Sequence, residues 1–512
     1  MLLNFIIILL ATISNVCNGA NILGIVVTPS YSHQLAYMNL WKELSLKGHK
    51  VTVLTTNPQN NSSLVNLTEI DLSIGYKCLQ QKIDLVPKNV VEFQRFTCSF
   101  SIEVDVLYFN LPQVQELINN KHLHFDVVMA ETFKPEFLVF GERFKAPTIL
   151  LTSFEDSFVI HKALQNDYHS ILYPDLTALY AGELNFVQRL ANFITHWRIA
   201  YIQKQCFVQR KNTLDKYFNN VSLTIEEMIN KASMLFVAVS PVLLYPRPVS
   251  MRTVNIGGGI TIKPSQALEK DIQSFLDSAK LGAIYFSLGS NVKSETLGHK
   301  TIEAIIEILK NLPYSILWKF NNNGSFVMPE NIMTAPWWPQ QDVLRHPNVK
   351  LFITQGGIQS LEEAIYFEKP LIGIPMIADQ ESNLKKMELR GILKYVASSP
   401  RIDPGELRDA ILDVMGNKKY VQNIRRLNKV NLDQPMSGLE KAVWWTEYVV
   451  RHKGNVEYMV HKTIPFYQYY FLDIAAVLGL ILLSCLGIIY WLIVAIRQLL
   501  LSDKRTIVKK ML

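Results

Sequence analysis

One segment constrains this chain more than any other: Ile474 to Ile496 (IAAVLGLILLSCLGIIYWLIVAI) runs 23 residues without a charged side chain. As a helix rising about 1.5 Å per residue it reaches about 34 Å, enough for a hydrocarbon core of about 30 Å. Tyr467, Tyr469 and Tyr470 precede it and Trp491 stands near its far end, where amphipathic rings favour the lipid–water interface. Beyond it come Arg497, Lys504, Arg505, Lys509 and Lys510 against a single acid, Asp503. Positive charge stays cytoplasmic. Residues 474–496 are therefore expected to span a membrane, with 497–512 in the cytosol and the body of the chain on the other side.

The opposite end agrees. Residues 1–20 hold an apolar run from Phe5 to Leu10 and finish on Gly19-Ala20, the layout of a secretory signal, although no Lys or Arg precedes the run. The terminal Lys509-Lys510-Met511-Leu512 resembles a dilysine retrieval signal, which implies a type I protein of the endoplasmic reticulum membrane. Of five cysteines, Cys17 leaves with the signal and Cys485 sits in the span. Cys78, Cys98 and Cys206 lack metal-ligand spacing and permit at most one disulfide, with Cys78–Cys98 the pairing expected. Glycosylation sequons begin at Asn60, Asn61, Asn66, Asn220 and Asn323. The net charge of +7 owes five cations and one acid to the tail, so no nucleic-acid footprint is implied.

About 450 lumenal residues exceed one core and predict two domains. Asn21–Thr28 reads as a strand, His33–Lys47 as a helix, and Lys50–Thr56 as a second strand, a βαβ unit whose continuous apolar strands argue for a parallel sheet. Phe125–Ala130 and Thr148–Thr152 extend it. A second series contains Gly282–Leu288, Ser315–Phe320, Val349–Thr354 and Leu371–Ile374. The Pro- and Gly-rich residues 241–265 read as a linker between an amino-terminal domain (21–240) and a carboxyl-terminal one (266–440). Residues 441–473 are expected to be helices returning toward the amino-terminal domain and the membrane. The fold class is thus α/β, two facing Rossmann-like domains with a cleft between them, plus one carboxyl-terminal membrane helix.

Ligands of open parallel sheets bind outside the carboxyl ends of the strands. Three turns lie at such ends: Ser287-Leu288-Gly289-Ser290, Thr354-Gln355-Gly356-Gly357 and Ile374-Pro375 through Asp379-Gln380. The second leads into a helix, whose free N–H groups suit a diphosphate.

From Trp337 to Gln380 the chain reads WWPQQDVLRHPNVKLFITQGGIQSLEEAIYFEKPLIGIPMIADQ. This resembles, nearly position by position over 44 residues, the signature of the UDP-glycosyltransferase (UDP-glucuronosyltransferase) family. The TPSYSH turn, the YFSLGS strand and both chain ends resemble it too. The resemblance implies a GT-B fold and a UDP-sugar held by the carboxyl-terminal domain. Trp337 would stack on uracil, Gln340 would meet the base or ribose, and Glu363 would accept from the ribose hydroxyls. Gln355, Gly356 and Gly357 would line the diphosphate, with Gln359 and Ser290 nearby and Arg247 as a phosphate contact. Asp379 and Gln380 would bind the sugar. Many members have histidine where Gln355 stands, and the TQGG form resembles arthropod members and related viral enzymes, which implies glucose as the preferred donor sugar and glucuronate as the alternative.

By the same resemblance His33 is the base and Glu131, where most vertebrate members have aspartate, its partner. A hydroxyl becomes a competent nucleophile only as a base takes its proton, and a helix start disfavours imidazolium. No cofactor beyond the UDP-sugar and no metal are implied; the acceptor would be a small lipophilic hydroxyl compound, and an oligomer is allowed. Phe93, Phe96, Phe100, Tyr108, Phe109 and Phe158 are candidates to line its pocket. Singly, each residue has a plainer reading: His33 a cap, Glu131 a strand-end acid, Trp337 a core residue, Glu363 a solvated helix charge. Competing functions are transfer to a membrane lipid and a non-catalytic lumenal binding protein that kept the fold.

Overall fold

The computed structural model describes residues 19–511 apart from 83–84, 88, 174–179, 181–182, 220, 291–293, 378, 399–401 and 462–463, with the side chains of 295–296 and of 501–511 also outside it. Residues 1–18 of the expected signal, Asn220 and the side chains of Lys509 and Lys510 therefore lie outside the described residues. The chain divides into two compact units, one ending at Met459 and the other beginning at Val460.

The first unit holds two parallel sheets. Strands β1 (Asn21–Val26), β2 (Lys50–Thr55), β3 (Leu67–Asp71), β4 (Val127–Glu131), β5 (Thr148–Thr152), β6 (Met234–Val237) and β7 (Thr253–Asn255) form one, in the order β3-β2-β1-β4-β5-β6-β7. Strands β8 (Ala283–Ser287), β9 (Ser315–Lys319), β10 (Ile332–Ala335), β11 (Val349–Thr354), β12 (Leu371–Gly373) and β13 (Leu393–Tyr395) form the other, in the order β10-β9-β8-β11-β12-β13. In each sheet the order reverses beside the first strand, between β1 and β4 and between β8 and β11. That reversal opens a crevice at the strands' carboxyl ends.

The helices that matter below are α1 (Tyr31–Leu46), α2 (Val90–Phe109), α3 (Phe186–Tyr217), α4 (Ile358–Tyr366), α5 (Gln380–Leu389), α6 (Gly438–Arg451) and α7 (Leu472–Met511). Side chains alternate across a strand, and both faces of these sheets are covered, so both sets must be apolar. Ile22, Val51, Val127 and Ile149 pack with Tyr37, Leu40 and Trp41 of α1 and with Ala442, Val443 and Val449 of α6. Leu23, Leu54, Val128 and Leu150 face Val104, Tyr108 and Phe109 of α2 and Leu214 of α3. In the second sheet Ile284, Phe286, Trp318 and Ile353 pack with Ile302, Ile305, Leu407 and Ile411. On the opposite face Ile358 and Leu361 of α4 and Leu384 and Met387 of α5 close over Phe352 and Leu371.

One stretch departs from the sequence reading. Thr253–Asn255, inside the stretch read as linker, pairs with β6 as the last strand of the first sheet. The chain then crosses at Gly257-Gly258, where the Gly258 N–H donates to buried Glu362 Oε1 at 2.6 Å. Helix α6, opened by a capping box between Ser437 and Glu440, returns to the first sheet, where Glu447 faces Lys47 and His49. In the second unit, α7 includes Leu472–Leu500, a run of 29 residues that is long and apolar enough to cross a membrane.

Candidate active site

The first sheet places an imidazole at its crevice. The turn after β1 leads into the first turn of α1, which carries Tyr31 and His33. Glu131, the last residue of β4, points back across it. Its Oε1 accepts from the N–H groups of Val27 (2.7 Å) and Thr28 (2.6 Å) and from the Thr28 hydroxyl (2.8 Å). Its Oε2 lies 3.2 Å from His33 Nδ1. A carboxylate so anchored fixes the ring's orientation and favours the tautomer with its proton on Nδ1, leaving Nε2 as the basic nitrogen. The His33 ring packs between Phe133 and Phe154, with centroids at 5.8 and 5.4 Å.

Behind those two rings lies a cavity of about 100 Å³, lined by Phe93, Ile160, Ile202 and Phe207 and by the polar Thr132, Asp156 and Gln203. Of the aromatic residues expected around an acceptor, only Phe93 lines it. Tyr108 and Phe109 are fully buried in the core, Phe96 stacks on Phe100, and Phe158 packs on His196. Burial pushes the Asp156 carboxyl up to about 7, with the Thr132 and Thr152 hydroxyls opposing the shift. The expected Cys78–Cys98 pair is not formed. Cys98 of α2 is bonded to Cys206 of α3, 108 residues away, and Cys78 is free. Packing of α2 on α3 decides the partner, and sequence spacing carries no trace of it. Both bonded cysteines line the cavity.

The second sheet gathers a different set of groups. At its reversal, Gln355 after β11 lies against Gly289 after β8. A Cβ on Gly289 would stand 2.0 Å from Gln355 Nε2, and one on Gly356 would stand 2.5 Å from Leu384. Both glycines also have positive φ, 85° and 90°, so larger residues are doubly disfavoured there. Gly357 then caps α4. The Gln355 Oε1 is buried without a hydrogen-bond partner, and Ser290 follows Gly289 in the facing loop. Glu363 on α4 is buried, and burial raises its pKa. Gln340 donates to its Oε2 at 2.6 Å and Gln341 to its Oε1 at 2.8 Å. Trp337 is 55 % exposed, with the Lys319 ammonium 4.1 Å from its ring centroid. Asp379 is half-buried and held by Asn383 at 2.6 Å. Burial raises its pKa, and the charges of Lys386 and His33 pull the other way.

Three expected site residues are engaged otherwise. Arg247 is ion-paired with Glu155 and lies over the Tyr173 ring. Gln359 donates to the Ser153 carbonyl at 2.8 Å, bridging the two sheets' loops. Gln380 Oε1 accepts from the N–H groups of Met376 and Ile377, pinning the turn after β12. Among the described residues no group of three or more His, Cys, Asp or Glu side chains is arranged to hold a metal.

Residues 22–510 match the family profile described as UDP-glucoronosyl and UDP-glucosyl transferase. The chain belongs to that family. It is a UDP-glycosyltransferase with two GT-B-type sheets. It is 31 % identical to UDP-glucosyltransferase 2 of Dactylopius coccus, over 92 % of each chain. It is 30 % identical to an ecdysteroid UDP-glucosyltransferase of Mamestra brassicae nuclear polyhedrosis virus, over 87 % of each. UDP-glucuronosyltransferase 2B10 of Homo sapiens is 27 % identical over 90 % of each. Among solved structures, Os79 from O. sativa in complex with U2F and trichothecene superposes with a TM-score of 0.59 at 15 % identity, covering 84 % of this chain and all of that one. TcCGT1 in complex with UDP gives 0.57 at 13 % identity, with 85 % of this chain and all of that one covered.

Several groups that shape this UDP-glycosyltransferase were not singled out from sequence. Tyr31 meets the edge of Trp337 at 5.7 Å and takes a hydrogen bond from Lys263 at 2.9 Å, so one turn of α1 touches both halves of the crevice. Gln341 completes the grip on Glu363. Ser360 receives the Gln340 amide at 3.2 Å. All three lie within or beside quoted motifs, but their partners sit on other elements of the fold.

Proposed function

We propose that this UDP-glycosyltransferase transfers glucose from UDP-glucose to a hydroxyl of a small lipophilic acceptor, with His33 as general base. The observation that carries the reading is the His33–Glu131 pair at one sheet's reversal, on the turn of α1 whose Tyr31 meets Trp337 beside the other. An acceptor hydroxyl seated at the apolar cavity beside Phe133 and Phe154 presents its proton to Nε2. As the oxygen attacks the anomeric carbon, Glu131 stabilises the imidazolium that forms. Attack from the first sheet's side, opposite a diphosphate held by Gln355, Gly356, Gly357 and Ser290, inverts the anomeric centre and gives a β-glycoside. Trp337, Gln340 and Glu363 hold the nucleoside; Asp379 meets the sugar together with the Gln380 amide nitrogen, the Gln380 oxygen being taken by the turn after β12.

Glucose is favoured because the insect and viral relatives at 30–31 % identity are named glucosyltransferases, against 27 % for the glucuronosyltransferase. The apolar α7 and basic tail support a type I placement in the endoplasmic reticulum membrane with the first unit in the lumen. Membranes containing the full chain are offered UDP-glucose and UDP-glucuronate with a panel of phenolic and steroid acceptors. Mass spectrometry should find hexosides, and NMR of the product should show the β anomer. Uronosides alone would reassign the donor, and an α anomer would remove the single-displacement mechanism.

A further inference from the structure

One face of α3 forms a wall of the cavity behind His33. Ile202, Gln203, Cys206, Phe207 and Arg210 all line it, at spacings of three, four and seven that put them on one side of a helix. Phe93, the Phe133 and Phe154 rings and Asp156 complete much of the lining. Most of it is apolar. Yet three of its polar side chains each carry a buried atom with no hydrogen-bond partner: Asp156 Oδ2, Gln203 Oε1 and Arg210 Nε. Arg210 gives its Nη1 to the Phe133 carbonyl and to Glu136, which leaves Nε over. Native interiors strand few polar atoms in this way, and three around one cavity mark a place suited to a polar group.

The three atoms differ in what they can bond. Arg210 keeps its charge at any physiological pH, so Nε only donates. Gln203 Oε1 only accepts. Burial pushes Asp156 up to about 7, so its carboxyl group accepts when ionised and donates when protonated. A methyl group or ring edge would leave all three stranded. A carbonyl would answer Arg210 alone. A carboxylate would answer it too, but would set its oxygens against those of Gln203 and ionised Asp156. An ammonium would suit the two oxygens and be repelled by the guanidinium. A hydroxyl accepts from Nε and donates to an oxygen, and it suits either charge state of Asp156. Volume sets the rest. A cavity of about 150 Å³ takes a benzene; this one measures about 100 Å³, room for about one small ring.

We propose that Asp156, Gln203 and Arg210 form a hydroxyl-binding site in the wall of this cavity, so that the molecule seated there is a diol. Its apolar body is about one ring wide, with one hydroxyl toward His33 and the second on these three groups. The preference for a hydroxyl rests on the cavity alone. The part played by the first hydroxyl as nucleophile rests on the function proposed above, and the diol then narrows the acceptor class named there.

The test uses the full chain in lipid nanodiscs and a matched pair of phenols, para-hydroxybenzyl alcohol and para-ethylphenol, which differ by one oxygen in place of one carbon. NMR titration should show the diol binding on the order of 10-fold more tightly, the value of a hydrogen bond to a charged or otherwise stranded group. Equal affinity, tighter binding of para-ethylphenol, or binding of neither compound overturns the proposal, and none of these readings needs a variant that folds. Gln203→Met, which keeps the side chain's length and removes its amide oxygen, should reduce the preference several-fold by weakening the diol while para-ethylphenol binds as before. Asp156→Asn should reduce it as well. A preference untouched by both variants places the hydroxyl elsewhere and also overturns the proposal. Incubation with UDP-glucose then separates the two readings: a diol that binds selectively but gains no sugar keeps the hydroxyl site and removes only the acceptor role assigned to the cavity.

Discussion

The two sides of the crevice are built in opposite ways. On the second sheet, Trp337, Gln340, Gln355, Glu363 and Asp379 come from one run of 44 residues, because short crossovers return the chain repeatedly to the same strand ends. On the first sheet, His33 and Glu131 sit at strand ends, but the cavity beside them is lined from Phe93 to Arg210. Its walls are long helices inserted between strands, α2 between β3 and β4 and α3 between β5 and β6. On the function proposed above, the second sheet's loops hold the nucleotide, a ligand of fixed parts that one compact run of chain can serve. An acceptor is defined by shape, and shape is set by where two distant helices pack.

The largest expected effect separates the sides by function. His33→Ala should lower kcat on the order of 10²–10⁴-fold while calorimetric UDP binding stays unchanged. Glu363→Ala, which strands the Gln340 and Gln341 amides, should weaken UDP binding about 10- to 100-fold, the value of hydrogen bonds to a charged group, with less effect on kcat. Equal loss of UDP binding in both variants would erase the distinction.

Next is the disulfide. Cys98→Ser with Cys206→Ser should cost about 2–5 kcal/mol of stability in denaturant unfolding. It should also raise the acceptor KM while UDP affinity holds, because the bond ties together two walls of the cavity proposed to seat the acceptor and nothing in the second sheet. A matching fall in UDP affinity would mean that the two halves are not separately built.

The smallest effect lies where the halves join. Burial pushes Glu362 up to about 7 from an ordinary value of 4.5. Its proton is held more tightly in the folded chain, so the stability this contributes is complete below the unfolded value and is lost as pH climbs from there through about 7. Glu362→Gln, which mimics the protonated acid, should raise the unfolding temperature by a few degrees at about pH 8 and leave it unchanged at about pH 4.5. A pH-independent difference would show that Glu362 is ionised throughout and bound to the Gly258 crossover as a carboxylate.

Much of the scaffold was legible because parallel strands buried on both faces are continuous apolar runs. The strands read at Asn21–Thr28, Val349–Thr354 and the others are all present, the first ending at Val26. The strands that escaped are short or lie at edges: β3 is mostly half-exposed, and β7 has three residues in a Pro- and Gly-rich setting. Of the candidate site, Gln340 and Glu363 meet directly, as do His33 and Glu131. Arg247 reads as a phosphate contact in sequence, but Glu155, 92 residues away, holds its guanidinium.

The sequence by itself determined what repeats locally: the apolar periods of strands, the uncharged helix of α7, and the contiguous loops of residues 337–380. Only the tertiary structure decided which cysteines join, which acid holds Arg247, which aromatics line a cavity and which face of α3 turns outward. Those outcomes depend on distances between segments far apart in the chain, and such distances are fixed by packing rather than by any neighbour in sequence.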